Sequence, residues 1–355
     1  MRKLLLIALC ALLLASPALA VDTDAVTQAL PDEARGILGD VEITAGLDAR
    51  PMLERIWEYV RSELGARLSE AASSAAVAAA VTLLCSLAGA LAPDGRTPEY
   101  VCFGAALAVA GCCFGHIGGY LSQAREALYS LSDFSRALLP CIAAASAAAG
   151  HAASGAARYA ASCLFMDVLM SVGTGAVLPL IYAYVAAATA KAALPAGALG
   201  GPVSVLRWLC TSALVLLCTA FTFYLSVTGA VTGKADAVAA ELTKTAVSAA
   251  LPVVGKILSD AASTYLAGAE LVRGAVGAVG LATVLCVCIG PVLSLGAHYL
   301  LFKAAAAVTE PFTEGRLSGL IGDIGTAYGM TLGLVGSGGA MLFLSVVLST
   351  EALAG

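Results

Sequence analysis

The sequence predicts an all-α polytopic membrane helix bundle. Three features carry that reading: too few charges to cover a globule, six apolar runs of spanning length, and glycines repeated at every fourth residue in two of those runs. Of the 355 residues, 60% are hydrophobic and 12% charged, and mean hydropathy is +0.91. Soluble domains carry roughly 25% charged residues, so a water-soluble globule of this size would be left with bare apolar surface. A bilayer removes the mismatch, because lipid-facing positions take apolar atoms while helices satisfy their own backbone hydrogen bonds. The same apolar content excludes disorder. The net charge of −5 is thinly spread, and no Lys/Arg cluster points to nucleic acid or to anionic headgroups.

The N-terminal 20 residues read as a signal peptide. Arg2 and Lys3 form a basic start, Leu4–Leu14 an apolar core too short to span, and Ala18-Leu19-Ala20 supplies the small residues of a cleavage site after Ala20. Cleaved or kept as an anchor, it sends the following segment outside. Residues 21–70 alone have ordinary soluble composition. Within them Met52, Leu53, Ile56, Trp57, Val60, Leu64 and Leu68 recur at helical spacing among Glu54, Arg55, Glu58, Arg61, Glu63 and Arg67. Such an amphipathic helix either lies on a membrane or partner, or leads as a solvated helix into the first span.

The spans follow at Ala71–Ala92, Tyr100–Leu121, Ala160–Ala190, Trp208–Gly229, Gly274–Phe302 and Ile324–Thr350. Each clears the ~20 residues that ~30 Å of hydrocarbon requires. The first two form a transmembrane hairpin (71–122) around a polar turn at Pro93–Pro98. Two stretches fit less well. Ala137–Ala153 is short and opens on Leu139-Pro140, and Ala235–Arg273 carries Lys244, Lys256, Asp260, Glu270 and Arg273. A charge at mid-membrane costs roughly 2.5–3.5 kcal/mol, so both are expected as interfacial helices or re-entrant hairpins covered by protein or water. A seven-span version, with 137–153 crossing, stays open.

These stretches also sit in one register. Leu139-Pro140, Pro179 and Lys191-Ala192-Ala193 recur at the spacing of Leu251-Pro252, Pro291 and Lys303-Ala304-Ala305. Residues 123–229 and 235–350 therefore read as membrane repeats A and B, with helix breaks at Pro140, Pro179, Pro252 and Pro291. Repeats with broken helices point to a cavity at their interface; the alternative is that the prolines kink spans for packing.

Gly111, Gly115 and Gly119, and again Gly325, Gly329 and Gly333, place hydrogens on one helix face, where a neighbouring backbone can approach closely within the subunit or from another chain. Asp167 is the one acid well inside a span and is a polar functional candidate, with Arg158 about two turns away. Lys256 and Asp260 are the other intramembrane polar candidates, spaced to pair across one helical turn. His116 and His298 lie on apolar helices and read as core residues. The cysteines Cys85, Cys102, Cys112, Cys113, Cys163, Cys210, Cys218, Cys286 and Cys288 lie inside apolar runs without metal or redox spacing. Phosphate loops, zinc motifs, nucleophile elbows and paired acids are absent from the sequence. The expectation is a protein that is not an enzyme and takes no cofactor or metal.

The run Leu251-Pro252-Val253-Val254-Gly255-Lys256-Ile257-Leu258-Ser259-Asp260-Ala261, with Gly277-Ala278-Val279-Gly280 and Phe343-Leu344-Ser345, resembles the stage III sporulation protein AE family. The resemblance covers most of the chain after residue 50. It implies a multi-pass subunit of the stage III sporulation A complex, in the mother-cell-derived cell membrane surrounding the forespore. It further implies work with the forespore membrane protein Q in a channel or secretion-like apparatus that sustains the forespore. A separate secretion-type ATPase and ring-forming proteins would be its partners, beside membrane lipid. It implies no catalytic residue. A stand-alone secondary transporter of a small solute and a passive scaffold are the competing readings.

An acting export signal followed by six spans puts both ends of the mature chain outside. Lysines and arginines do not decide orientation: Arg96, Lys191, Arg207, Lys303 and Arg316 fall inside, against Arg125, Arg136, Arg158, Lys234, Lys244, Lys256 and Arg273 outside. Cysteines introduced at positions 40 and 353 should both react with an impermeant label in intact cells. Reaction at 40 alone would exclude six spans.

Overall fold

Helices as long as these form because the apolar runs continue into polar stretches of the same helical propensity with few breakers between them. The computed structural model of the chain describes residues 23–39, 50–91, 97–148, 152–194, 199–250, 255–313 and 315–351. Two short helices come first, α1 (Thr23–Gln28) and α2 (Asp32–Leu38). They are followed by α3 (Arg50–Ala90), α4 (Thr97–Ala148), α5 (Ala152–Val172), a π-turn (Gly173–Val177) and α6 (Leu178–Ala193). The chain then runs through α7 (Gly200–Ala250), α8 (Gly255–Thr309), a 3-10 turn (Glu310–Phe312) and α9 (Arg316–Glu351). No strand occurs among the described residues. Six rods are long and apolar enough to cross a membrane, with α5, the π-turn and α6 counting as one. Each overlaps one of the six expected spans, and α3 and α4 run well beyond theirs. The signal peptide lies outside the described residues.

The amphipathic segment and the first span are one 41-residue helix, α3. Only Met52 and Ile56 of its apolar set are buried, against Leu30, Ala34 and Leu38 of α1–α2 and Val279, Ala282 and Cys286 of α8. Trp57, Leu64 and Leu68 stay exposed. The helix thus docks by one edge rather than by a full stripe.

One expectation is corrected, and another falls partly outside the described residues. Residues 137–148 continue α4 as one helix, and 235–250 and 255–273 continue α7 and α8; 149–151 and 251–254, where the expected hairpins would turn, lie outside the described residues. Pro140 and Pro291 do not break their helices as expected. Pro140 lies inside α4, where Leu138, Leu139, Cys141 and Ile142 around it are buried and hold the helix through the lost hydrogen bond. Pro291 lies inside α8. Pro179 follows the π-turn, and the residue four before it, Gly175, belongs to that turn; the wider coil there relieves the clash a proline ring makes with that carbonyl. Pro252 lies outside the described residues, and so do the side chains of Lys256 and Asp260 in the first turns of α8.

At the centre α8 packs against α9 through the second glycine seam. A Cβ on Gly325 would stand 3.2 Å from Cβ of Phe302, and one on Gly329 would stand 2.8 Å from Cδ2 of Tyr299. Gly333 faces Leu214 of α7 at 3.6 Å. Away from the seam, Gly280 of α8 meets Leu138 of α4, and Gly173 of the π-turn meets Leu334 of α9. The first seam behaves differently. Gly111, Gly115 and Gly119 are exposed, with nothing within 4 Å of a Cβ added at any of them. The same spacing packs on α9 and lies open on α4.

This asymmetry gives opposite expectations for one substitution. Gly329→Leu has to displace the Tyr299 ring and should cost about 1–3 kcal/mol, read as a lower melting temperature of the detergent-purified chain. Gly115→Leu should leave melting unchanged; equal losses at both sites would refute the packing asymmetry.

Candidate functional site

Charged residues bound the uncharged stretches of α5–α6, α8 and α9, and folding brings three of them together. Asp323 opens the long uncharged run of α9. Its Oδ1 accepts a hydrogen bond from Tyr184 Oη at 3.0 Å, and its Oδ2 pairs with Lys191 Nζ at 3.0 Å. Asp323 is 18% exposed and Lys191 42%, so the pair sits at the rim of the bundle. From α8, Lys303 Nζ donates to the Gly322 carbonyl at 2.8 Å and to Thr326 Oγ1 at 2.7 Å. Gly325 leaves room for this, since a Cβ there would come within 3.5 Å of the Lys303 stem. Lys191 and Lys303, which share a register in the sequence, therefore end on adjacent turns of α9.

A second polar group lies one to two turns further along the same seam. His298 Nδ1 is 2.8 Å from the Ser294 carbonyl. Its ring stands 4.5 Å from Tyr120, 5.0 Å from Tyr328 and 6.3 Å from Phe302, centroid to centroid. Tyr120 Oη donates to Glu70 Oε1 at 2.9 Å, tying α4 to α3. His298 Nε2, Tyr328 Oη and Ser294 Oγ are buried with no hydrogen-bond partner in the protein. Each such group costs roughly 1–3 kcal/mol unless a water or solute meets it. A cavity of about 180 Å³ opens beside this group, between Glu70, Ser73 and Ser74 of α3 and Cys112, Cys113 and His116 of α4. The cavity has room for water. Among the described residues no three His, Cys, Asp or Glu side chains converge to hold a metal ion.

The acid singled out in the sequence is not part of either group. Asp167 is 71% exposed and stands 4.0 Å from Arg136 of α4, which also pairs with Asp133 at 3.4 Å. Arg158 instead donates to the Leu348 carbonyl of α9. His116 lines the cavity, and His298 is buried as expected, though with one ring nitrogen unmet. Asp323, Tyr184, Glu70, Tyr120 and Tyr328 are the residues that reading by run position misses. For Asp323 a signal existed, because a charge that ends one apolar run pairs readily with charges that end others at the same depth.

A bundle of long, largely uncharged helices, with its lysines tied to one glycine-bearing helix at the rim, defines the protein as an all-α, multi-pass membrane protein. The chain belongs to the stage III sporulation protein AE family, whose profile matches residues 40–352. It is 25% identical over 195 residues to the stage III sporulation protein AE of Bacillus subtilis (strain 168), a match covering 55% of this chain and 49% of that protein. The chain thus spans about half the length of the curated relative it matches. No solved structure matches it.

Removing the Asp323 carboxylate leaves Tyr184 and Lys191 without their acceptor. Asp323→Ala should destabilise the chain by about 1–3 kcal/mol. A double-mutant cycle with Lys191→Ala, read by thermal melting in detergent, should return a coupling of about 0.5–1 kcal/mol, as for a rim-exposed pair. Zero coupling would mean that the pair does not tie α6 to α9.

Proposed function

We propose that this chain is an integral membrane core subunit of a multiprotein, secretion-like channel that links mother cell and forespore during endospore formation and is needed for forespore development. The observation that carries the reading is the family match over nearly the whole described chain. The disposition of charge supports it. Lys191, Lys303 and Asp323 are engaged with one another or with α9 at the rim, and Asp167 is on the outside, so no charged pair faces an enclosed solute site among the described residues. That is poor equipment for a lone solute transporter and adequate for a scaffolding wall.

On this reading the chain sits in the mother-cell-derived membrane around the forespore, delivered there by the export signal of residues 1–20. It has no catalytic residue of its own. A separate ATPase drives the apparatus, and ring-forming proteins and the forespore protein Q complete it. Repeats A and B supply two similar halves, with Lys191 and Lys303 as matched landmarks that both reach the start of α9.

Cross-linking in sporulating cells, followed by purification of the full chain from membranes, tests this. Ring-forming and ATPase subunits should co-purify in fixed ratio. A chain that purifies alone and is stabilised against melting by one solute would replace this reading with the transporter.

A further inference from the structure

After Asp167, four stretches of spanning length hold no charged residue: between Asp167 and Lys191, Arg207 and Lys234, Arg273 and Lys303, and Asp323 and Glu351; before it, 71–93, 100–124 and 137–157 are uncharged as well. The packing brings the four to one height. Lys191 pairs with Asp323, Lys303 binds Gly322 and Thr326, and Leu214 of α7 meets Gly333 of α9. Asp167 and Lys191 lie roughly 36 Å apart along the helix axis, close to the ~30 Å of a hydrocarbon core. At this height α5, α6 and α7 present Val168, Tyr182, Val215, Leu216 and Phe223 outward.

Helices α3 and α4 cross the same height with charges instead. Met52 and Ile56 pack on Val279, Ala282 and Cys286, and Glu70 is held by Tyr120, whose ring lies against His298. The segment 52–70 of α3 therefore runs beside 279–298 of α8, inside the uncharged interval. On α4, Leu128 and Leu131 meet Gly338 of α9, and Leu138 meets Gly280 of α8, which sets 120–138 at that height too. The outward residues there are Glu54, Glu58, Arg61, Arg125, Glu126 and Asp133, interspersed with Trp57 and Leu64. The apolar halves of α3 and α4, 71–91 and 100–121, run on past the Lys191–Asp323 layer, where Ser86 Oγ donates to the Phe312 carbonyl. The chain thus has two apolar belts at different heights, and one flat slab of hydrocarbon cannot cover both. Both belts are uncharged and long enough to span, but four rods share the first and only α3 and α4 the second, and that majority assigns lipid to the first.

Lipid cannot then cover the α3–α4 face. Arg67 pairs with Glu63 and Glu70, and Arg136 with Asp133. Glu54, Glu58, Arg61, Arg125 and Glu126 make no ion pair among the described residues, and each would cost roughly 2.5–3.5 kcal/mol against hydrocarbon. Burial against protein would carry its own desolvation penalty for each. We propose that this face is the wall of a water-filled passage at membrane depth, with α5 and α7 turned to lipid. Acids and arginines alternate along it, so the wall suits hydrated solutes of either sign. The proposal rests on the channel-subunit reading for what the passage serves.

The test is cysteine accessibility in opened membrane vesicles from sporulating cells, on the full chain with its exposed native thiol removed by Cys112→Ser. Ser62→Cys, a small change on the exposed side of α3, and Arg125→Cys on α4 should react with a charged maleimide. Phe223→Cys on α7 should react only with a lipid-soluble one. Protection of Ser62→Cys and Arg125→Cys in vesicles, with reaction in the isolated chain, would assign the face to protein contact and overturn the proposal while leaving the channel-subunit reading intact. Reaction of Phe223→Cys with the charged reagent would put lipid at the other belt and overturn it as well. Labelling as expected on a chain that purifies without partner subunits would keep the wall and remove the channel-subunit reading instead.

Discussion

The close approach of α8 and α9 is the constraint on which the rest of this structure depends. In a bilayer no hydrophobic effect drives helices together, so contact has to come from packing and from polar groups that lipid cannot satisfy. Glycines at 325 and 329 supply the first by letting Phe302 and Tyr299 lie against the α9 backbone. The same closeness brings Lys303 within reach of the Gly322 carbonyl and Thr326, and sets His298 beside Tyr328. Every other helix is placed by what it offers to this pair. Helix α6 offers Lys191 and Tyr184 to Asp323, α4 offers Tyr120 to His298, and α3 offers Met52 and Ile56 to the far part of α8.

Water access explains where the polar residues collect. At the rim, Asp323 and Lys191 keep partial contact with solvent and share a charge pair. Deeper along the seam, His298 Nε2, Tyr328 Oη and the Ser294 hydroxyl find no protein partner. The cavity between α3 and α4 opens next to them and is bordered by Glu70 and His116. The outward charges of α3 and α4 lie on the same side of the molecule as this interior group, whereas α7 turns Val215, Leu216 and Phe223 outward without a charge between Arg207 and Lys234.

The prolines show how much such helices tolerate. A single proline in an exposed helix interior is worth about 3 kcal/mol of instability, yet α4 and α8 pass through Pro140 and Pro291. The neighbours of Pro140 are buried on both sides, so straightening or breaking there would expose them. At Pro179 the coil widens ahead of the ring instead. Packing, not local propensity, decides whether a proline ends a helix.

By itself the sequence determined the class of the protein: charge content and run length admit a helical membrane bundle and little else, and the six spans follow from where charges stop and start. It also determined the family, through the motif around Pro252, and the helical character of 50–70. It could not tell the seam at Gly325–Gly333 from the one at Gly111–Gly119, because spacing defines a face and only a neighbour makes it an interface. It favoured Asp167 over Asp323 because depth within a run is visible along one chain, whereas the partners Tyr184 and Lys191 come from another helix. The heights at which α3 and α4 pass α8 belong to the tertiary structure alone. They are set by side-chain contacts between segments far apart in sequence, and those contacts put charged and apolar segments at one level on different sides of the bundle.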